Sequence, residues 1–316
     1  MGQMKGKASI EFEHPPVIIS AGSVVGKKEG EGPLGSLFDE VELDDMFGMD
    51  NWEQAESTMQ KKTADLVIEK GGIRKGDLRY LFAGDLLGQL IATSFGTVDL
   101  EIPLFGLYGA CSTMGEALGL GAMAVNAGYA DQVMSMASSH FATAEKQFRF
   151  PLAYGNQRPP SATWTVTGCG AVVLAGNRKD GMARIAGITT GRMVDMGAKD
   201  SMNMGAAMAP AAFHTIEQNL EDFQVNETWY DKIITGDLGA VGREILLDLL
   251  AQKKIDIGSF HTDCGLEIFD NEAQGTGSGG SGCGCAAVTM CAHFLPMLRR
   301  GELKRILFVP TGALLS

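Results

Sequence analysis

The chain has 316 residues, 26 basic and 38 acidic, for a formal net charge of −12. That balance argues against a nucleic-acid partner, which needs a basic face to meet phosphates, and against a polybasic membrane patch. Apolar residues make up 45% and charged ones 20%, enough to build a large core and to exclude global disorder. Length alone points to about two domains or two fused halves. Glycine, at 42 residues, is at roughly twice its ordinary share. Without a collagen period, that signals tight turns and close backbone packing.

Six cysteines (Cys111, Cys169, Cys264, Cys283, Cys285 and Cys291) lie in apolar, glycine-rich surroundings and read as reduced thiols of an intracellular protein. Cys283-Gly284-Cys285 lacks the spacing and the partner pair of a zinc site, so no metal is expected. The N-terminus has no apolar signal-peptide core, and Gly6 stands where a myristoylation signal needs Ser or Thr. Residues 103–125 are apolar but interrupted by Glu116 and rich in small side chains, so they read as a buried helix and not a membrane span.

In chain order, residues 15–25 read as a buried strand and 26–49 as an excursion of Gly, Pro and acidic residues. Asp50 or Asn51 caps a helix over 52–70 that Gly71-Gly72 ends. Residues 78–86 form a short strand. Its end, Leu81-Phe82-Ala83-Gly84-Asp85-Leu86, recurs as Ile233-Ile234-Thr235-Gly236-Asp237-Leu238. Each copy leads to a cysteine-bearing small-residue segment, Gly109-Ala110-Cys111-Ser112 or Gly282-Cys283-Gly284-Cys285-Ala286-Ala287. An apolar helix follows each, then a strand, 132–136 or 305–309. Alternating strands and helices imply parallel sheets covered on both faces. Gly115, Gly119 and Gly121 each cost about 1 kcal/mol of helix propensity, which close approach of flanking sheets would offset. The expected architecture is α/β: two similar βαβ-rich halves, 1–180 (with the excursion 26–49 and a loop 139–165) and 181–316, in five layers α-β-α-β-α.

That layering, with Gly109-Ala110-Cys111-Ser112 opening a buried helix, resembles the thiolase and ketoacyl-synthase superfamily. Gly168-Cys169-Gly170-Ala171-Val172-Val173-Leu174 looks like the strand after its active-site loop, and the segment from Gly301 to Gly312 like one of its last strands and the following turn. More closely, the chain resembles the stage V sporulation protein AD family. The carrying segments are Gly106-Leu107-Tyr108-Gly109-Ala110-Cys111-Ser112-Thr113-Met114, Phe148-Arg149-Phe150-Pro151, His261-Thr262-Asp263-Cys264-Gly265 and Val309-Pro310-Thr311-Gly312-Ala313-Leu314-Leu315. The resemblance implies a thiolase-like fold that helps move dipicolinic acid (pyridine-2,6-dicarboxylate) into the developing spore. It also implies membrane proteins of the same sporulation operon as partners, a peripheral place on the forespore or spore inner membrane, and a homodimer. Family members continue a little past the match to Leu314-Leu315, which implies a chain lacking a final strand.

In the superfamily the Cys111 position carries the nucleophile, and a helix N-terminus favours its thiolate. Condensation also needs two His or Asn groups from the second half. Thr235-Gly236-Asp237-Leu238-Gly239 and Gly277-Ser278-Gly279-Gly280-Ser281-Gly282 offer neither. The expectation is therefore a protein that binds without catalysing. His140 and His261 are the possible substitutes, each with a structural imidazole as its alternative reading. A flat aromatic dianion needs cationic or N–H donors and an apolar wall. The candidate ligand-binding residues are Cys111, His140, Lys146, Arg149, Arg158, Asp237, His261 and Asp263, beside Phe148, Phe150 and Tyr154. No cofactor is expected, and calcium enters only as a chelate with the ligand. Two other readings stay open: an acyl-thioester transferase using Cys111 with His140, and a scaffold for membrane transport proteins.

Overall fold

A computed structural model describes residues 3–148, 157–176 and 178–314 of the chain. The β-branched and small residues of Val17–Gly26 form strand β1, buried along almost its whole length. The excursion after it makes one helical turn, Lys27–Gly30, and a strand, Glu40–Glu42, laid parallel to β1. Asn51 caps helix α1 (Trp52–Gly71), its side chain accepting the Gln54 N–H at 2.9 Å, and Gly72 ends it in the left-handed conformation. There follow β2 (Tyr80–Gly84), β3 (Leu104–Gly106), α2 (Thr113–Asn126), β4 (Gln132–Ser139), α3 (Phe141–Phe148) and β5 (Gly168–Ala175). The second half contains β6 (Gly187–Thr189), α4 (Met204–Phe223), β7 (Lys232–Thr235), α5 (Gly239–Gln252) and β8 (His261–Asp263). It continues with α6 (Cys283–Thr289), a π-helical turn (Met290–Phe294), α7 (Leu295–Arg300) and β9 (Ile306–Val309).

The larger sheet runs Ala183–Arg184, β1, β5, β4, β2, β3, and the second runs β8, β7, β9. The second is parallel, with Ile233 opposite His261 and Leu307. The first is mixed, which corrects the expectation of parallel sheets: β5 runs antiparallel to both β1 and β4. The parallel β2–β4 pair is joined through a full crossover helix, α2. The path from β4 toward β5 begins with α3, and β5 comes back in the opposite sense. The apolar stretch 103–125 also divides. Its start is the edge strand β3, and the helix begins only at Thr113.

Five layers result. α1 covers one face of the first sheet through Met59, Val67, Met134 and Met136. α2 and α6 lie between the sheets, packing Met114, Ala117, Ala122, Cys283, Ala287 and Val288 into the central core. α4 and α5 cover the second sheet through Met208, Ile216, Leu246 and Leu250. A Cβ at Gly121 would lie 2.8 Å from Ser135 Oγ, and one at Gly115 3.2 Å from the Pro310 ring. Close approach thus offsets their helix cost of about 1 kcal/mol each. Gly119 is the exception, with Ile188 no nearer than 3.9 Å.

Candidate functional site

The small residues before α2 form a tight elbow. Ala110 takes φ 50°, a left-handed conformation uncommon for a residue with a Cβ. Hydroxyls staple it: Ser112 Oγ donates to the Gly109 carbonyl and Thr113 Oγ1 to the Ala110 carbonyl, each at 2.7 Å. The Pro310–Gly312 turn of the second half presses against the elbow so closely that a Cβ at Gly312 would overlap the Gly109 carbonyl. The two halves therefore meet at Cys111, which is 3% exposed.

Asp237, just past the end of β7, faces the Cys111 thiol. Its Oδ2 accepts the Gly282 N–H at 2.8 Å, an amide aimed by the positive φ of Gly282, and its Oδ1 is buried without a hydrogen-bond partner among the described residues. Burial raises the Asp237 carboxyl to about 7, against the lowering effect of the Cys111 thiol and the Gly282 amide. Burial first, and then Asp237, push the Cys111 thiol well above its ordinary value. This overturns the expectation that a helix N-terminus would make the sulfur a thiolate: desolvation and a neighbouring acid outweigh the helix dipole.

The other expected residues are not gathered around the sulfur. The neutral His140 ring donates from Nε2 to the Asp45 carbonyl at 2.9 Å, accepts the Ala142 N–H at Nδ1 at 3.1 Å, and lies against Trp52. His261 is buried, its Nε2 3.0 Å from Thr235 Oγ1, and burial lowers it to about 4. Asp263 accepts Thr235 Oγ1 at 2.6 Å, the Leu238 N–H at 2.8 Å, and the Gly239 and Gly265 N–H groups at 3.1 Å each, so it caps backbone inside the fold. Lys146 pairs with Glu53 at 2.5 Å on the surface. Arg158 pairs with Glu145 at 2.5 Å, donates to the Thr163 carbonyl at 2.9 Å, and lies over the Phe141 and Trp164 rings. Arg149, Phe150 and Tyr154 lie outside the described residues, and Phe148 is half exposed.

A groove of about 2280 Å³ opens from the Cys111 elbow between the halves. Gly109–Ser112, Ser281, Gly282 and Pro310–Gly312 line its inner end, and Phe148 its wall. Among the described residues no histidine lines it. No group of three or more His, Cys, Asp or Glu side chains among them is placed to hold a metal ion. Arg184, Arg192, Lys304 and Arg305 line it from exposed positions. Sequence reasoning missed these four cations. They are scattered over three segments and share no motif, so only the folded chain brings them to one groove.

The stage V sporulation protein AD family model matches residues 6–316. Stage V sporulation protein AD of Bacillus subtilis (strain 168) is 42% identical over 314 residues, covering 99% of this chain and 92% of the relative. Solved structures with the same fold include 3-oxoacyl-[acyl-carrier-protein] synthase III of Aquifex aeolicus, with 16% identity, a TM-score of 0.57, and 93% and 94% of the two chains covered. The cerulenin-bound OleA of Xanthomonas campestris has 12% identity, a TM-score of 0.61 and 98% and 96% coverage. Human mitochondrial 3-ketoacyl-CoA thiolase has 13% identity, a TM-score of 0.58 and 95% coverage of both chains. These neighbours are enzymes, and at such identities the likeness is one of fold. No helix among the described residues is long and apolar enough to cross a membrane. The chain belongs to the stage V sporulation protein AD family and has the thiolase-like fold.

Proposed function

We propose that this sporulation protein binds dipicolinic acid at the Cys111 end of the groove and assists its uptake into the developing spore, without catalysing condensation. The observation that carries the reading is the pairing of Cys111 with Asp237. Acyl transfer needs a thiolate and a donor for the developing oxyanion. Here burial and an acid hold the sulfur protonated, and a carboxylate stands in place of the donor. Both ring nitrogens of His140 are taken by Asp45 and Ala142, and His261 is held through Nε2 by Thr235, away from the sulfur, with its Nδ1 buried and without a partner among the described residues. A binding role fits what remains: an apolar groove, a helix start at its inner end, and Arg192 and Lys304 to attract an anion, within a lining that also carries Glu11, Glu116, Glu145 and Asp195 and whose Arg184 and Arg305 donate to backbone carbonyls. Lys146 and Arg158 serve the surface and the fold, so Arg192 and Lys304 replace them in this reading.

Pairing with a second copy is part of the proposal. Strand β3 is exposed at the edge of the first sheet and carries the exposed Phe105, with Tyr108 exposed just after it and Phe95 and Val98 exposed in the segment before it. Membrane proteins of the same operon, and a peripheral place on the forespore or spore inner membrane, complete it. Titration calorimetry with dipicolinate, with and without calcium, tests the binding. Saturable heat that Cys111→Ala weakens is expected, with no mass adduct after incubation with acyl-CoA. An acyl adduct on Cys111 would establish the transferase reading instead. Neither heat nor adduct would leave the scaffold.

A further inference from the structure

The inner end of the groove contains a charge problem that the binding reading must solve, and the inference rests on that reading. Asp237 is 1% exposed, and its Oδ1 has no hydrogen-bond partner among the described residues. The groups that face it are the Cys111 thiol before α2, the Asp263 carboxyl on β8, Cys264 after β8, and Cys283 and Cys285 at the start of α6. These are thiols and an acid. None is a cation. An ionised Asp237 therefore holds an uncompensated negative charge one side chain away from where an anion docks.

Cys111 carries a single thiol hydrogen between these two demands. While Asp237 is ionised, it is the strongest acceptor beside the thiol and draws that hydrogen away from the groove, leaving sulfur lone pairs toward the ligand. Once Asp237 is protonated, its carboxyl donates toward the sulfur, and the thiol hydrogen is free to turn to a ligand oxygen. We propose that Asp237 makes anion binding proton-coupled: an anion docks against Cys111 only with Asp237 protonated, so binding to the chain with Asp237 ionised takes up one proton from solvent. The proton passes from the buffer to the Asp237 carboxylate, and no bond to the ligand forms or breaks. Burial, which raises this carboxyl to about 7, places the effect near physiological pH.

Calorimetric titration of the full chain with pyridine-2,6-dicarboxylate tests this, in two buffers of different ionisation heat, from about pH 6 to about pH 9. Affinity should fall about tenfold per pH unit above about pH 7, with about one proton taken up per ligand at the alkaline end. Asp237→Asn should bind with an affinity that is flat across the range and with no proton uptake. Should that variant fail to fold, infrared difference spectra of the unaltered chain supply the second reading: a protonated-carboxyl band should grow on binding at alkaline pH. Flat affinity without proton uptake in the unaltered chain would overturn the coupling while leaving the anion site standing, as would proton uptake that persists in Asp237→Asn. Absence of binding at every pH would overturn the anion site, and the coupling with it.

Discussion

Asp85 and Asp237 follow matching strands in matching Gly-Asp-Leu turns, yet their carboxylates serve different ends. Asp85 closes its own turn: it accepts the Leu87 N–H and the Thr93 N–H at 2.7 Å each and the Thr93 hydroxyl at 2.5 Å. In the second half that work passes to Asp263, which takes the Leu238 and Gly239 amides. Asp237 is thereby released to face Cys111.

Asparagine substitutions should separate these roles. Asp85→Asn aims an amide N–H at backbone N–H groups and should cost about 1–3 kcal/mol in urea unfolding, the usual penalty for a buried hydrogen bond left unmade. Asp237→Asn removes a buried acid with an unpartnered oxygen and should leave stability equal or higher. It should also speed alkylation of Cys111 by iodoacetamide at mildly alkaline pH, because the carboxylate that opposes ionisation is gone. Equal alkylation rates in the two proteins would sink the claim that Asp237 controls the thiol.

Stability should fall as pH rises from the acidic range through neutrality. Burial raises Glu29 and Asp237 to about 7 each, and raises Glu56 as well, where Asp85 adds like-charge repulsion. A carboxyl whose folded pKa lies above its unfolded value stabilises fully below the unfolded pKa, and that contribution is lost as pH rises through the folded value. Each such group contributes a slope of up to about 1.4 kcal/mol per pH unit in that window. His261, lowered to about 4, works in the other direction: its contribution is present above about 6.5 and is lost as pH falls toward 4. Urea midpoints should therefore decline from about pH 4.5 to about pH 8, the three acids outweighing His261 below about 6.5, and level off above that. Glu56→Gln should flatten part of that decline. A midpoint that rises across this range would contradict the burial assigned to the three acids.

Much of this architecture is legible in the chain because it is written in local chemistry. Asn51 and Gly72 mark the two ends of α1, and alternating buried strands with small-residue helices imply the layers. The repeated Gly-Asp-Leu turn announces two related halves. The direction of β5 was not legible, because strand polarity depends on the path of the connection before it. Cys111 and Asp237 could be named from their motifs. Their mutual effect could not, since it arises from the meeting of the halves at Gly109 and Gly312. His140, Lys146 and Arg158 show the opposite case. Their residue types suit an anion site, but Asp45, Glu53 and Glu145 sit beside them in space and occupy them.

Arg158 and Lys146 provide a direct test of that last point. Arg158 is 16% exposed along its side chain, paired with Glu145 and lying on two aromatic rings. Arg158→Ala should lower the thermal midpoint measurably, by the loss of packing as well as charge. Lys146, with a side chain 57% exposed, should cost less than about 1 kcal/mol when replaced by Ala, as surface pairs do. Dipicolinate affinity should be unchanged in the folded Lys146→Ala protein and reduced in Arg192→Ala or Lys304→Ala, where the side chains line the groove. The reverse order in a titration series would return the ligand site to the segment around Lys146.

Two glycines should respond in opposite directions to the same added methyl group. Gly170 on β5 lies against α6, and a Cβ there would sit 2.5 Å from the Ala287 carbonyl carbon and 2.6 Å from its oxygen. Those are backbone atoms of a central helix and have nowhere to move, so Gly170→Ala should destabilise by the 1–3 kcal/mol typical of overpacking, roughly, or more. Gly119 lies within α2, where the nearest atoms, on Ile188, are 3.9 Å away or more. Gly119→Ala meets only ordinary contact and should gain up to about 1 kcal/mol of helix propensity. Paired urea unfolding curves at one pH settle the contrast. A stabilised Gly170→Ala protein would mean that β5 and α6 are further apart than the layered packing requires, and the meeting of the two halves at Cys111 would lose its structural basis.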